Sequence, residues 1–196
     1  MYDVAIVGGG PAGQSAAIFT SKAGLKTILI DNEKGLTKLA LLKNYYGIEE
    51  TSGDKLVETG RRQAERLGTE FVKAQAKNVI KSDGGFEIQT EDGPTYSAHQ
   101  VILATGANAN LAKAIGLKTK DGREKYVKTV IETDEAGHTA IKGIWVAGVA
   151  AGVSVHAIIT SGDGAKTAIN LISELKGERY TCLLYTSPSP RDPKTS

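Results

Sequence analysis

Gly8, Gly10 and Gly13 stand in a Gly-x-Gly-x-x-Gly pattern directly after the apolar run Tyr2-Asp3-Val4-Ala5-Ile6-Val7. That run is rich in β-branched residues and reads as a strand buried on both faces. Gln14 to Ala23 carries small apolar residues and reads as a helix ending near Gly24. Lys26 to Asp31 (KTILID) is a second buried strand. Together they make a βαβ unit of about 30 residues. Gly8 permits the tight turn, Gly10 lets backbone approach a pyrophosphate, and Gly13 lets helix and strand pack closely. The helix start offers free N–H groups and the positive end of its dipole. Asp31 ends the second strand eighteen residues after Gly13, where an acid can accept a ribose hydroxyl. A glycine-rich turn that only packs a helix needs no such acid. The reading is a dinucleotide site, and the fingerprint alone leaves NAD and FAD both open.

Composition narrows the alternatives. With 24 basic and 22 acidic residues the formal charge is +2, which argues against a surface built to neutralise nucleic-acid phosphates. The single cysteine, Cys182, excludes Cys-rich zinc sites and a C-x-x-C redox pair. Three histidines, His99, His138 and His156, show no metal-ligand spacing. The most apolar stretch, Ile144 to Ile159, falls short of the roughly 20 residues a membrane span needs and carries His156. No secretory leader is visible, so the expectation is a cytoplasmic protein that binds neither membrane nor nucleic acid.

Residues 1–180 are expected to form one domain. Residues 181–196 are expected to be a disordered or non-native tail, since Cys182 to Ser196 holds three of the five prolines and no apolar periodicity. Within the domain, residues 32–52 read as a loop with short helical pieces. Asp54 to Gly68 reads as an amphipathic helix with Leu56, Val57, Ala64 and Leu67 inward and Ser52 as N-cap. Three short antiparallel strands, Glu70–Ile80, Phe86–Gln89 and Thr95–Ser97, follow around Gly-containing turns. His99 to Ala104 reads as a separate buried strand, 107–125 as loop, Tyr126–Thr133 and Gly143–Ala147 as strands, and Val155–Lys176 as the closing helix. The fold class is α/β: a Rossmann-like parallel sheet with helices on both faces and an added three-stranded antiparallel β-meander.

Later segments carry a resemblance. Ile102-Leu103-Ala104-Thr105-Gly106-Ala107 and Gly143-Ile144-Trp145-Val146-Ala147-Gly148 are similar to two further signatures of the FAD-dependent pyridine nucleotide-disulfide oxidoreductase superfamily. Asn44-Tyr45-Tyr46-Gly47 is similar to the Asn-aromatic-Pro-Gly segment that lies against the flavin in thioredoxin reductases. The helix and strand Gln63 to Glu70 and the closing segment His156 to Ala165 also resemble that group. The resemblance covers nearly the whole domain and implies a flavoprotein oxidoreductase. It implies FAD contacts at Gly8, Gly10, Pro11, Ala12, Gly13, Asp31, Asn32, Asn44, Ala76, Thr105, Gly106, Gly148, Val149, His156 and Ala157. It further implies NAD(P)H as a transient electron donor, a redox partner protein, and a homodimer, since reductases of this kind generally dimerise.

The departures matter equally. A second nucleotide-binding domain normally sits between the Ala-Thr-Gly segment and the final strand, but here only 35 residues separate Ala107 from Gly143. The family's Gly-Asp, whose acid bonds the ribityl chain, is replaced by Gly148-Val149, and its Gly-Gly-Gln loop by Lys34-Gly35-Leu36-Thr37. The chain therefore looks like an FAD domain without its NADPH domain, passing electrons through bound flavin. The alternative is a non-catalytic FAD or adenine-dinucleotide-binding module that works with a partner chain. No catalytic residue is assigned. His156, at a helix start near the flavin pyrimidine end, is a candidate for tuning the flavin, against the plainer reading of a surface residue. Trp145 reads as core, Arg61-Arg62 as a solvated helix face, and His99 and His138 as surface residues. Ser154, Ser161 and His156 lack the G-x-S-x-G elbow of a hydrolase.

Overall fold

The computed structural model describes residues 1–91 and 93–181. The expectation for residues 182–196 lies outside the described residues. Strand β1 (Tyr2–Val7) leads into helix α1 (Pro11–Lys22) and strand β2 (Thr27–Asp31), the βαβ unit read from the glycine spacing. Pro11 sits in the first helical turn, where its missing N–H costs nothing. A 3-10 turn (Leu36–Leu39) and a small hairpin of β3 (Leu41–Leu42) and β4 (Thr51–Ser52) follow. Helix α2 (Gly53–Arg66) then precedes β5 (Glu70–Lys73), β6 (Ala76–Ser82), β7 (Gly85–Thr90) and β8 (Tyr96–Leu103). Helix α3 (Asn110–Ala114), the hairpin of β9 (Thr119–Asp121) and β10 (Thr129–Ile131), β11 (Ile144–Val146) and helix α4 (Ala157–Lys176) complete the order.

One mixed sheet runs β5-β2-β1-β8-β7-β6, with β11 also on β8. Strand β8 explains this topology. One of its edges pairs parallel with β1 along most of its length, from Ala98 opposite Tyr2 to Leu103 opposite Val7. Its other edge pairs antiparallel with β7 at Tyr96–Ala98 and then parallel with β11 at Val101–Leu103. The sequence pattern breaks this strand at Ala98. The structure joins the two halves, because the partner changes while the backbone continues. Glu70–Ile80, expected as one strand, is two. Ala74 N–H still bonds Asp31 O on the parallel side, while the carbonyl of Gln75 accepts from Glu91 in the meander. The chain changes partners there and cannot stay one strand.

Alternation along the central strands sorts the core into two layers. Val4, Ile6, Leu29, Ile102 and Trp145 face α1, α2 and α4. Ala5, Val7, Ile28, Ile30, Val101, Leu103 and Val146 face Val79, Phe86 and Ile88 of the meander and Leu111 and Ala112 of α3. Helices thus lie on both faces, unequally. Trp145 is core, 2% exposed, and donates its ring N–H to Gln100 Oε1 at 3.0 Å. Residues 107–125, read as loop, contain α3 and β9. These pieces are too short for periodicity to register. On α2, Leu67 is 41% exposed instead of inward, because the helix stops at Arg66. Ser52 occupies the N-cap position without a side-chain cap bond. Gly53 instead permits close approach to the Thr37 carbonyl, 1.7 Å from where its Cβ would stand.

Candidate functional site

The site is built on the carboxyl ends of the parallel strands. Backbone bonds cross this edge in series: Gly8 N–H to Ile30 O at 2.9 Å, Ala104 N–H to Val7 O at 2.8 Å and Ala147 N–H to Leu103 O at 3.0 Å. The segments following β1, β2, β8 and β11 therefore emerge side by side, the usual place for a ligand in an open α/β sheet. They are Gly8–Gly13, Asp31–Asn32, Thr105–Gly106 and Gly148–Val149.

The three pattern glycines differ in what surrounds them. At Gly8 (φ +107) an added Cβ would fall 2.3 Å from Ala104 O, and at Gly13 one would fall 1.8 Å from Gly8 O. Both are demanded by packing. Gly10 has ordinary backbone angles, φ −76 and ψ −174, and nothing within 4 Å of its Cβ position. Gly10 is also the N-cap of α1, whose first turn has neither a capping side chain nor an acid. An uncapped positive helix end thus faces open space at the one of the three pattern glycines that the fold does not require. This cradle fits an anionic pyrophosphate. Ala12 is buried behind it.

Asp31 stands beside this loop, its carboxylate 2.7 Å from the Cβ position of Gly9. Asn32 donates through Nδ2 to Gln75 Oε1, and Gln75 donates in turn to Ala76 O at 3.0 Å. That bridge carries the end of β2 to the start of β6, bringing Asn32 and Ala76 into one neighbourhood. The Ala76 side chain is in the core, so only its backbone can serve a ligand. Asn44 is exposed and lies in the loop between β3 and β4.

Gly148 (φ +73) backs onto α1, with its Cβ position 2.6 Å from Ala12 Cβ. Its N–H donates to Asp163 Oδ2 at 2.7 Å, and Asp163 Oδ1 pairs with Lys166 at 2.7 Å. Asp163, 8% exposed, is a site-supporting residue that the sequence reading did not single out. Val149 is half-buried in the 3-10 turn Gly148–Ala151. Thr105 spends its hydroxyl on Asn108 O at 2.7 Å, and Gly106 (φ +64) opens on free space. His156 is the exposed N-cap of α4, with buried Ala157 next. Its Nδ1 lies 2.8 Å from Ser154 Oγ, which donates its one hydrogen to Glu124 Oε1 at 2.7 Å. His156 must therefore give Nδ1–H to Ser154. The serine stands between imidazole and carboxylate, the wrong order for a hydrolase triad.

Two positions expected at the surface are held more tightly than a free surface residue. His138 is half-buried and held from both sides, Nδ1 to Asp134 and Nε2 to Glu174, each at 2.8 Å. Burial pushes its pKa down, but the two carboxylates outweigh that and hold it above the ordinary histidine value. Arg61 pairs with Glu65 at 2.8 Å and Glu33 at 3.4 Å, whereas Arg62 is the solvated face that was expected of both. A concavity of about 340 Å³ lies at the β9–β10 hairpin beside Lys120, Arg123 and Gly152, and no residue of the glycine loop lines it. Among the described residues no helix is long and apolar enough to cross a membrane.

Comparison with known proteins bears on the family and the fold. The family described as pyridine nucleotide-disulphide oxidoreductase matches residues 2–130 and 61–171. Thioredoxin reductase of Listeria innocua is 36% identical over 129 residues, 63% of this chain and 39% of its own length. That of Rickettsia conorii is 41% identical over 110 residues, 54% of this chain and 36% of its own length. The aligned part is thus about two fifths of the length of these curated relatives. Among solved structures, a thioredoxin reductase from Gloeobacter violaceus superposes with a TM-score of 0.77 at 19% identity, covering 94% of this chain and 99% of that one. The atypical thioredoxin reductase TRi from Desulfovibrio vulgaris Hildenborough gives 0.74 at 21%, covering 91% and 99%. At these identities the superpositions show the shared fold alone.

Proposed function

The chain belongs to the pyridine nucleotide-disulphide oxidoreductase family, and on that premise we propose that it is a cytoplasmic flavoprotein oxidoreductase holding FAD along the carboxyl edge of its sheet. The observation that carries this reading is Gly10. It faces open space before an uncapped helix, while Gly8 and Gly13 face backbone.

In this reading the N–H groups of the first turn of α1, Ala12 and Gly13, hold the pyrophosphate. Asp31 accepts from the adenosine ribose, with Asn32 and the Ala76 backbone alongside. Thr105, Gly106, Gly148, Val149 and Ala157 border the riboflavin half, and Asn44 approaches the ring from the β3–β4 loop. Bound FAD would supply the two-electron redox chemistry. The chain supplies position and polarity, and no residue acts as a nucleophile. His156 gives Nδ1–H to Ser154, so only its protonated ring can also donate from Nε2.

Residues 1–180 are read as one FAD domain lacking the NADPH domain. The 35 residues between Ala107 and Gly143 contain only α3 and the β9–β10 hairpin. Electrons then arrive from free NAD(P)H or from a partner protein at the open flavin face. The test is a visible absorption spectrum of purified protein before and after NADH or NADPH. A yellow, bleachable protein that turns colourless in Gly10→Val is the expected result. A colourless wild type that binds only adenine nucleotides would favour the non-catalytic module.

A further inference from the structure

Glu33 is the one non-glycine among the described residues with positive φ, at +62. A β-carbon in that region is disfavoured, and such strain persists only where surrounding contacts enforce it. Here they come from two elements. Lys73 at the end of β5 pairs with Glu33 Oε2, and Arg61 of α2 reaches Oε1 at 3.4 Å. Lys73's hydrogen bond leads the effects that hold the Glu33 carboxyl below the usual range. Arg61 is itself steadied by Glu65 at 2.8 Å and lies 4.1 Å over the Phe71 ring. The consequence falls on Asp31. In this pinned turn Glu33 N–H donates to Asp31 Oδ2 at 3.1 Å, while Gly9 crowds the same carboxylate.

We infer that Glu33 is a positioning residue: gripped by Lys73 and Arg61, it bends the Asp31–Glu33 turn so that Asp31 presents its carboxylate to the ribose diol of the dinucleotide. This rests on the reading of Asp31 as the ribose acceptor. Glu33 touches no ligand in this account. Its contribution is to the orientation of Asp31, and through it to selection for an intact ribose.

The experiment titrates apo-protein with FAD and with FAD lacking the adenosine 2′-hydroxyl. Wild type is expected to prefer FAD by about tenfold, the lower end of what a hydrogen bond to a charged group gives. In Glu33→Gly, which relieves the φ strain and keeps the fold, that preference should drop below about threefold, with affinity for the deoxy analogue unchanged. Lys73→Met should act in the same direction, and Lys73→Arg should retain the preference. If Glu33→Gly weakens both ligands equally, Glu33 is only structural and the inference is overturned. If Asp31→Ala abolishes the preference while Glu33→Gly and Lys73→Met keep it, the inference fails and the ribose reading stands. A wild type with no preference, unchanged in Asp31→Ala, overturns the ribose reading and this inference with it.

Discussion

Gly164 of α4 lies so close to Ala12 of α1 that an added Cβ would stand 2.0 Å from the Ala12 carbonyl oxygen. The obstructing atom is backbone in the first turn of α1, so it cannot swing aside. Gly164→Ala gains roughly 1 kcal/mol of helix propensity. It should lose about 3 kcal/mol to overpacking, the upper end of that cost, because the backbone oxygen cannot yield. The expected net result is a lower Tm, by up to about 8 °C in a domain of this size. A calorimetric scan of the variant checks this, and an unchanged Tm would mean that α4 does not seat against α1 as described.

The two ends of the glycine loop should respond oppositely to substitution. Gly10→Ser puts a side chain into open space at ordinary backbone angles and supplies the cap that α1 lacks. Its Tm should hold or rise, because a serine cap is as good as or better than glycine by a few tenths of a kcal/mol. Its hydroxyl would occupy the N–H groups that hold the pyrophosphate in the proposed function, so FAD affinity should fall. Gly13→Ala meets Gly8 O at 1.8 Å and should lower Tm and affinity together. Thermal scans and flavin titrations of both variants separate a binding glycine from a packing glycine.

His138 sets a pH dependence whose sign follows from its raised pKa. The stabilisation is fully present below the ordinary histidine value of about 6.5 and is lost as pH rises through the raised folded value. Asp134, held below the usual carboxylate range, contributes above the unfolded carboxylate value and loses that as pH falls through its folded value. Its burial works against this lowering and is outweighed by the bonds to His138. The Trp145 ring lies 4.0 Å from that of His138, so tryptophan fluorescence reports on the cluster directly. Tm should decline upward from about pH 6.5, and His138→Asn should flatten that decline. An equally steep decline in the variant would assign it to other groups.

What the chain makes legible on its own is what is local. The βαβ unit follows from glycine spacing and apolar runs within a few residues of one another, and so does the end of α4 at Gly177 (φ +70). The route of β8 was hidden because its change of partner from β7 to β11 is tertiary, and the residues concerned look alike. Asp163 was hidden for the same reason. Its bond to Gly148 spans fifteen residues, and in sequence it is one acid in a helix. His138 looked like a surface residue because Glu174, which holds its second nitrogen, lies 36 residues on. The grip on Glu33 comes from Arg61 and Lys73, on elements brought together only when β5 joins β2.

If the chain holds FAD as proposed, Val149 takes the place of the acid that bonds the ribityl chain, and Val149→Asp tests whether the flavin pose is kept with that bond missing. A hydrogen bond to a charged group is worth roughly 1.5–3 kcal/mol. Half-burying the new carboxylate returns part of that. The neighbouring Gly148 N–H is already taken by Asp163, whose second oxygen holds Lys166. The new acid therefore joins a place where one carboxylate is already satisfied and has no free backbone donor at Gly148. In the apo-protein Tm should fall slightly, since the added charge has no partner until ligand arrives. With FAD the ribityl hydroxyls provide that partner, and affinity should rise by up to about tenfold. Titrating both apo-proteins with FAD, followed by flavin fluorescence, measures the change. A clear loss of affinity would mean that Val149 packs into a dry pocket and that the flavin is held there without the family's pose.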